Sequence, residues 1–268
     1  VNRVDFKTEA LLKANPMIEI LEVTGNQHYT FPMQTGLDPF TDLKVRQALK
    51  HAINRQEMVD KILLGHGKVA NDHPIGPANQ YFAEDLEQND YDPDKAAALI
   101  KEAGLDGLSV DLSAANAAFA GAIDAAQLYQ NSAKAAGINI NVVQEPDDGY
   151  WYNVWLKKPW CACYWSGRAT EDWMFSTAYE SGVPWNVTGW EYARFQDLLL
   201  SARAELDSAK RREMFGEMQM LMSKDGGTVV PMYANYVDAH STKLANSGTV
   251  GNVFQMDSSR MMERWWFA

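Results

Sequence analysis

The stretch Asp38–Gly65, DPFTDLKVRQALKHAINRQEMVDKILLG, decides the fold. It reads as two short helices in series. Asp42 is placed to cap the first, and Val45, Ala48, Leu49, Ala52 and Ile53 then fall on one face at three- and four-residue steps. Asn54 ends that helix and can cap the next, with Glu57 three residues on as a variant of the capping box. Met58, Val59, Ile62 and Leu63 continue the apolar face, and Gly65 is placed to close the helix in a left-handed conformation. Such a pair belongs in a globular core.

Further along, Tyr91-Asp92-Pro93-Asp94 opens another helix, with Asp92 as cap and Pro93 at the first helical position, closing at Gly104. Leu108–Ser113, an Ala-rich helix over 116–136 and Ile138–Gln144 form a β-α-β unit, which predicts a right-handed crossover and a parallel strand pair. Before the opening stretch, Asp5–Ala14 reads as a helix stopped by Asn15-Pro16. Two strands follow, Ile18–Thr24 and His28–Gln34, around a Gly25-Asn26 turn. After it, Asp148–Leu156 is a short helix dense in aromatics, and Cys161–Trp165 is a strand. Glu171-Asp172 is placed to cap a helix over 173–179. Helices over 192–206 and 208–223 precede a strand, Thr228–Tyr233.

Composition narrows the function. The chain has 268 residues, 46% hydrophobic and 22% charged, with a formal net charge of -11. An acidic surface disfavours nucleic acid and anionic membrane as partners. No apolar run approaches the roughly 20 residues needed to span a bilayer, so no direct membrane insertion is expected. No signal-peptide pattern opens the chain, and its start reads like the middle of a longer protein. Cys161 and Cys163 are two apart in a strand, which puts both on one face, a poor geometry for a mutual disulfide; they are expected to be buried free thiols. The five histidines are scattered and no metal-ligand spacing appears, so neither metal nor cofactor is expected.

The segment PFTDLKVRQALKHAINRQEMV closely resembles the P-F-x-D-x-x-V-R-Q-A-[LI]-x-x-A-I-[DN]-[RK] signature of the peptide/nickel group, family 5, of bacterial extracellular solute-binding proteins. YDPDKAAALIKEAG resembles a second signature, Y-D-P-x-K-A-x-x-L-[LI]-x-E-A-G. Asn186–Arg211 is similar to a third, and Val229-Val230-Pro231 to the family's apolar return strand. Their order matches the C-terminal portion of such a protein. The resemblance implies an α/β fold: a periplasmic-binding-protein-like II lobe with a mixed sheet flanked by helices, plus strands of an incomplete second lobe. Residues 1–34 would be hinge and large-lobe segment, 35–228 the ligand-binding lobe, and 229–268 the return. It implies the substrate-binding component of a peptide-type ABC importer, periplasmic and monomeric. Such a component captures a peptide or peptide-like solute between two lobes and delivers it to a membrane permease, with no chemistry.

The site implied by the resemblance is the loop leaving the strand at Trp165. In peptide-binding relatives an Asp three residues after this Trp pairs with the ligand's α-ammonium; here that position is Arg168. The charge reversal favours an anionic group, which guanidinium grips bidentately. Trp165, Gly167, Arg168, Glu171, Asp172, Trp185 and Asn186 form the candidate ligand-binding set, with Glu171 or Asp172 either supplying negative charge for an amine or pairing with Arg168. Arg46 and Asp42 suit structural ion pairing better than ligand contact, and the aromatics Tyr150, Trp151, Tyr152 and Trp155 suit core packing at least as well as a pocket. Two other classes compete. A small hydrolase using Glu171, Asp172 and His240 lacks any nucleophile elbow, HExxH or phosphate-binding motif. A binding protein repurposed for chemosensing has the same sequence features as a transport receptor.

Overall fold

The computed structural model describes all of residues 1–268. Asp42 accepts from the Lys44 N–H and starts helix α2 (Leu43–His51), after α1 (Phe6–Lys13) and strand β1 (Ile18–Pro32). Asn54 accepts from the Glu57 N–H and starts α3 (Arg55–Lys61), and the predicted apolar face is fully buried at Val45, Ala48, Leu49, Ala52 and Ile53. Gly65 is left-handed (φ +88°), but Leu64 before it is left-handed too (φ +49°). The chain turns over two residues, with the Gly65 N–H donating to Val59 O.

Strand β2 (Gly67–Val69), α4 (Pro93–Glu102), β3 (Ser109–Ala114), α5 (Ala122–Ala133) and β4 (Asn139–Gln144) follow, then α6 (Tyr150–Asn153), β5 (Cys163–Trp165), α7 (Glu171–Ala178), α8 (Ala193–Ala204), α9 (Ser208–Lys224) and β6 (Thr228–Ser241). Past β6 the tail carries only short pieces: β7 (Leu244–Ala245), α10 (Gln255–Ser259), α11 (Met261–Arg264) and β8 (Trp266–Phe267). One sheet has the order β2-β6-β1-β5, all antiparallel, and β3 pairs with β4 in parallel as expected for the β-α-β unit. Bridges Met33–Trp160 (antiparallel) and Ser113–Cys161 (parallel) join the two, so the whole is a mixed sheet. The larger apolar core lies on the Tyr29 and Phe31 face, with α2–α5. The smaller lies on the Cys163 and Trp165 face, with α7–α9.

Several local expectations are corrected. Gly25-Asn26 is not a turn: β1 runs through it, and the register with β6 shifts between Val23 and Gln27, a bulge. A side chain at Gly25 would strike the Tyr236 ring at 2.7 Å, so glycine there permits close strand approach. The strand predicted over 228–233 likewise continues to Ser241, because β1 offers a partner along the whole length. Helix α5 starts at Ala122, not at 116; residues 116–121 form a loop, and the Ala117 N–H leaves for Asp147 Oδ1 at 2.7 Å. Cys161 and Cys163 are free and buried, but they pack in different cores, because the chain changes partner from β3 to β1 between them. Burial pushes the Cys161 thiol up to about 12 and holds Cys163 well above the usual thiol range too.

The signature's polar residues hold two helices together. Lys50, 1% exposed, donates to Met222 O (2.9 Å), Ser223 O (2.9 Å) and Gly226 O (2.8 Å), three carbonyls at the C-terminal end of α9. Arg46 donates to Asp225 O (3.0 Å) and pairs with its carboxylate at 3.3 Å, while its other nitrogen reaches Phe40 O and Thr41 O. A cation is the natural group at the negative end of a helix. Arg46 is therefore structural, with Asp225 rather than Asp42 as its partner.

Candidate functional site

Parallel strands of α/β proteins present ligands at their carboxyl ends. At that end of β3, a cavity of about 650 Å³ opens between the 116–121 loop, the crossing strands β1 and β6, and the N-terminal segment Arg3–Lys7. Tyr29 and Phe119 stack within it (4.2 Å, 4° between planes), beside Tyr164, Gln27 and Tyr236. Its charges are three cations, Arg3, Lys7 and Lys61, against Asp5 and Asp124. Helix α5 begins at its wall with Gly121 left-handed and no side-chain cap, so the positive end of the helix faces this region. A volume of this size, with five aromatic rings and a mixed apolar and polar lining, suits a small solute.

The predicted residues sit beside this cavity rather than in its wall. Tyr164 lines it, and its neighbour Trp165 points to the opposite sheet face, as strand alternation requires. Trp165 meets Trp155 (6.2 Å) and half-exposed Trp185 (6.1 Å) in an aromatic cluster. The Gly167 N–H donates to the Tyr236 hydroxyl at 3.0 Å, which itself donates to Val253 O, so the Arg168 loop and the cavity share Tyr236 as a wall. Arg168 is half-buried. Its guanidinium lies 5.6 Å from the Trp165 ring and 5.5 Å from the Trp173 ring, and donates only to its own loop: Ser166 O, Ser166 Oγ and Gly167 O.

No carboxylate pairs with Arg168, so of the two roles open to Glu171 and Asp172 the ion pair with Arg168 is not formed. Glu171 is buried and accepts the Tyr81 N–H at 2.8 Å, fixing the 71–82 loop. Asp172 pairs with Arg203 at 2.6 Å, in a group with Glu180. Neither caps α7; Thr170 does, accepting from the Trp173 N–H. Asn186 organises its own turn, accepting from the Thr188 and Gly189 N–H groups and donating to Glu180 O and Trp190 O.

Among the four helical aromatics, Tyr150 is buried with its hydroxyl donating to Ala162 O, Tyr152 is 84% exposed, and Trp151 and Trp155 bridge the two cores. Tyr164 opened the stretch the sequence singled out, Tyr164–Asp172, whereas Tyr236, Gln27 and the 116–121 loop were missed. Alternation about Trp165 was a usable signal for Tyr164; the loop was hidden by its helix-forming alanines. No helix is long and apolar enough to cross a membrane.

The family described as bacterial extracellular solute-binding proteins, family 5 Middle, matches residues 1–186. The dipeptide-binding protein of Escherichia coli (strain K12) is 30% identical over 229 residues, covering 80% of this chain and 41% of that protein. Di/tripeptide-binding protein 1 of Pseudomonas aeruginosa (strain UCBPP-PA14) is 28% identical over 249 residues, covering 86% and 43%. The chain thus spans less than half the length of these relatives. Among solved structures, NikZ from Campylobacter jejuni in complex with Ni(L-His) superposes with a TM-score of 0.85 at 20% identity, covering 98% of this chain and 56% of that one. DppA from Helicobacter pylori in complex with the peptide STSA does so at 0.80 and 22%, covering 90% and 48%; both likenesses speak for the fold. On the family match and the shared fold, the chain belongs to the bacterial extracellular solute-binding proteins of family 5.

Proposed function

We propose that this chain forms one wall of the solute-binding cleft in the substrate-binding component of a peptide-type ABC importer. It acts outside the cytoplasm as a monomer, hands its solute to a membrane permease, and catalyses no reaction. Residues 35–228 act as the ligand-binding lobe. Residues 1–34 and 229–268 lead through the paired strands β1 and β6 toward a second lobe, whose closure captures the solute by a hinge motion.

The solute is peptide-like and anionic. One observation carries this: Arg168, at the carboxyl end of β5 beside the cavity, has no carboxylate partner. In a closed, water-poor cleft it would hold an anion by a charge-assisted contact contributing about 2–3 kcal/mol. The excess of cations around the cavity and the start of α5 favour the same sign. Trp165 and Trp185 would pack the solute's apolar part and Gly167 would let the loop lie close against Val253 and Asn26, whereas Glu171, Asp172 and Asn186 support the site from behind.

The test is calorimetry on the full-length protein with the solute that co-purifies from its host, identified by native mass spectrometry. Arg168→Ala should weaken binding more than tenfold, and Arg168→Lys should recover little of it. Unchanged affinity in Arg168→Ala would reduce this residue to loop packing and remove the case for an anion.

A further inference from the structure

Behind the Arg168 loop, polar atoms lie buried without partners. His28, fully buried on β1, has neither ring nitrogen hydrogen-bonded. Its cross-strand partner Trp165 (6% exposed) has an unpaired indole N–H. Asn26 (5% exposed), two residues before His28, donates to Arg168 O at 2.9 Å but leaves Oδ1 unpaired, and Arg168 leaves its buried Nε–H unpaired. Oδ1 of Asn26 also lies 2.9 Å from where a Gly167 side chain would begin. Buried polar groups in native proteins are almost always satisfied, by protein, water or ligand.

Two of these groups, the Trp165 and Arg168 N–H, can only donate, and Asn26 Oδ1 can only accept. Burial first, then the nearby charges of His73 and Arg168, hold His28 down at about 3, so it is neutral and offers one donor and one acceptor. The acceptors are therefore uncharged. With Glu171 and Asp172 engaged elsewhere, nothing here compensates an ammonium.

Resting on the anionic-solute reading above, we infer that Asn26, His28, Trp165 and Arg168 form a subsite for an anion carrying an adjacent neutral hydrogen-bond donor, as in an α-hydroxy acid or an N-acylated amino acid. The anion meets the N–H groups of Arg168 and Trp165. The neutral O–H or N–H meets Asn26 Oδ1 or the acceptor nitrogen of His28. The Arg168 guanidinium, which donates only within its own loop, covers the subsite.

The experiment uses the full-length protein labelled with ¹⁵N-histidine, reading the His28 ring nitrogens by NMR during titration with glycolate, acetate and glycine. Glycolate should bind about fivefold tighter than acetate, one neutral hydrogen bond's worth, and glycine no tighter than acetate. Asn26→Ala should close most of the glycolate–acetate gap, and Asn26→Ser, which keeps an oxygen acceptor, should retain it. Equal binding of glycolate and acetate overturns the neutral-donor subsite while leaving the anion reading intact. Preference for glycine overturns both. No shift of His28 with any probe means the groups hold water only and overturns the subsite, with the importer reading still decided by the Arg168→Ala calorimetry.

Discussion

Lys50 offers a sharp test of how the signature stabilises the fold. Lys50→Met keeps the length and apolar character of the stem and removes the ammonium. Three charge-assisted hydrogen bonds to Met222, Ser223 and Gly226 carbonyls are lost, at about 1.5–3 kcal/mol each. Against that stands the cost of burying the charge. Burial lowers Lys50 from 10.5 to about 8, which at neutral pH is a penalty of about 3 kcal/mol now relieved. The net destabilisation should be about 1.5–6 kcal/mol, read as a fall in the urea midpoint with unchanged slope. The pH dependence carries the sign. Between pH 8 and 10.5 the unfolded state binds the proton that the folded state has released, so this group's contribution rises with pH across that window. Wild type should therefore gain on Lys50→Met as pH rises from 8 to 9.5. A loss in Lys50→Met below about 1 kcal/mol, or a difference between the two proteins that stays flat with pH, would refute the clamp argument.

Cys161 and Cys163, buried with raised thiol pKa values, should react with a thiol reagent only after unfolding; an intramolecular disulfide found by mass spectrometry would contradict the separation of the two cores. His28 and His73 are held, chiefly by burial, at about 3 and about 4 against 6.5 unfolded. Their stabilisation is complete above pH 6.5 and lost as pH falls toward 4, so denaturant midpoints should drop over that range and drop less in His73→Asn. Gly67→Ala should destabilise the β2 edge. Its Cβ would lie 2.3 Å from Tyr233 O and 2.4 Å from Leu63 Cδ1, and a melting temperature equal to wild type would show that the strand can move aside.

The local signals were legible where residues close in sequence settle the outcome. Asp42, Asn54 and Asp92 cap their helices because each cap needs only its own side chain and an N–H two or three residues on. The buried face of α2 follows from helical spacing, and the parallel β3–β4 pair from the length of the connection. Arg168 was visible as a charge out of place, and its loop did fall at a strand's carboxyl end.

What the sequence left open depended on partners far along the chain. Gly25-Asn26 has turn chemistry, yet β6, some two hundred residues away, offers a continuous hydrogen-bonding edge that turns it into a bulge. Glu171, Asp172 and Arg168 are near neighbours in sequence, but Tyr81 and Arg203 draw the two carboxylates elsewhere and leave the guanidinium unpaired. The cavity is assembled from the N-terminal segment, β1, the loop after β3, β5 and β6. Helix caps and amphipathic faces are set by short-range geometry, and so the sequence alone determined most of the helices, while the class of fold was implied by the resemblance that its motifs carry. Which charge stays unpaired, and which aromatics share a cavity, is set by competition among distant groups for the same hydrogen bonds and space; only the tertiary structure decided that.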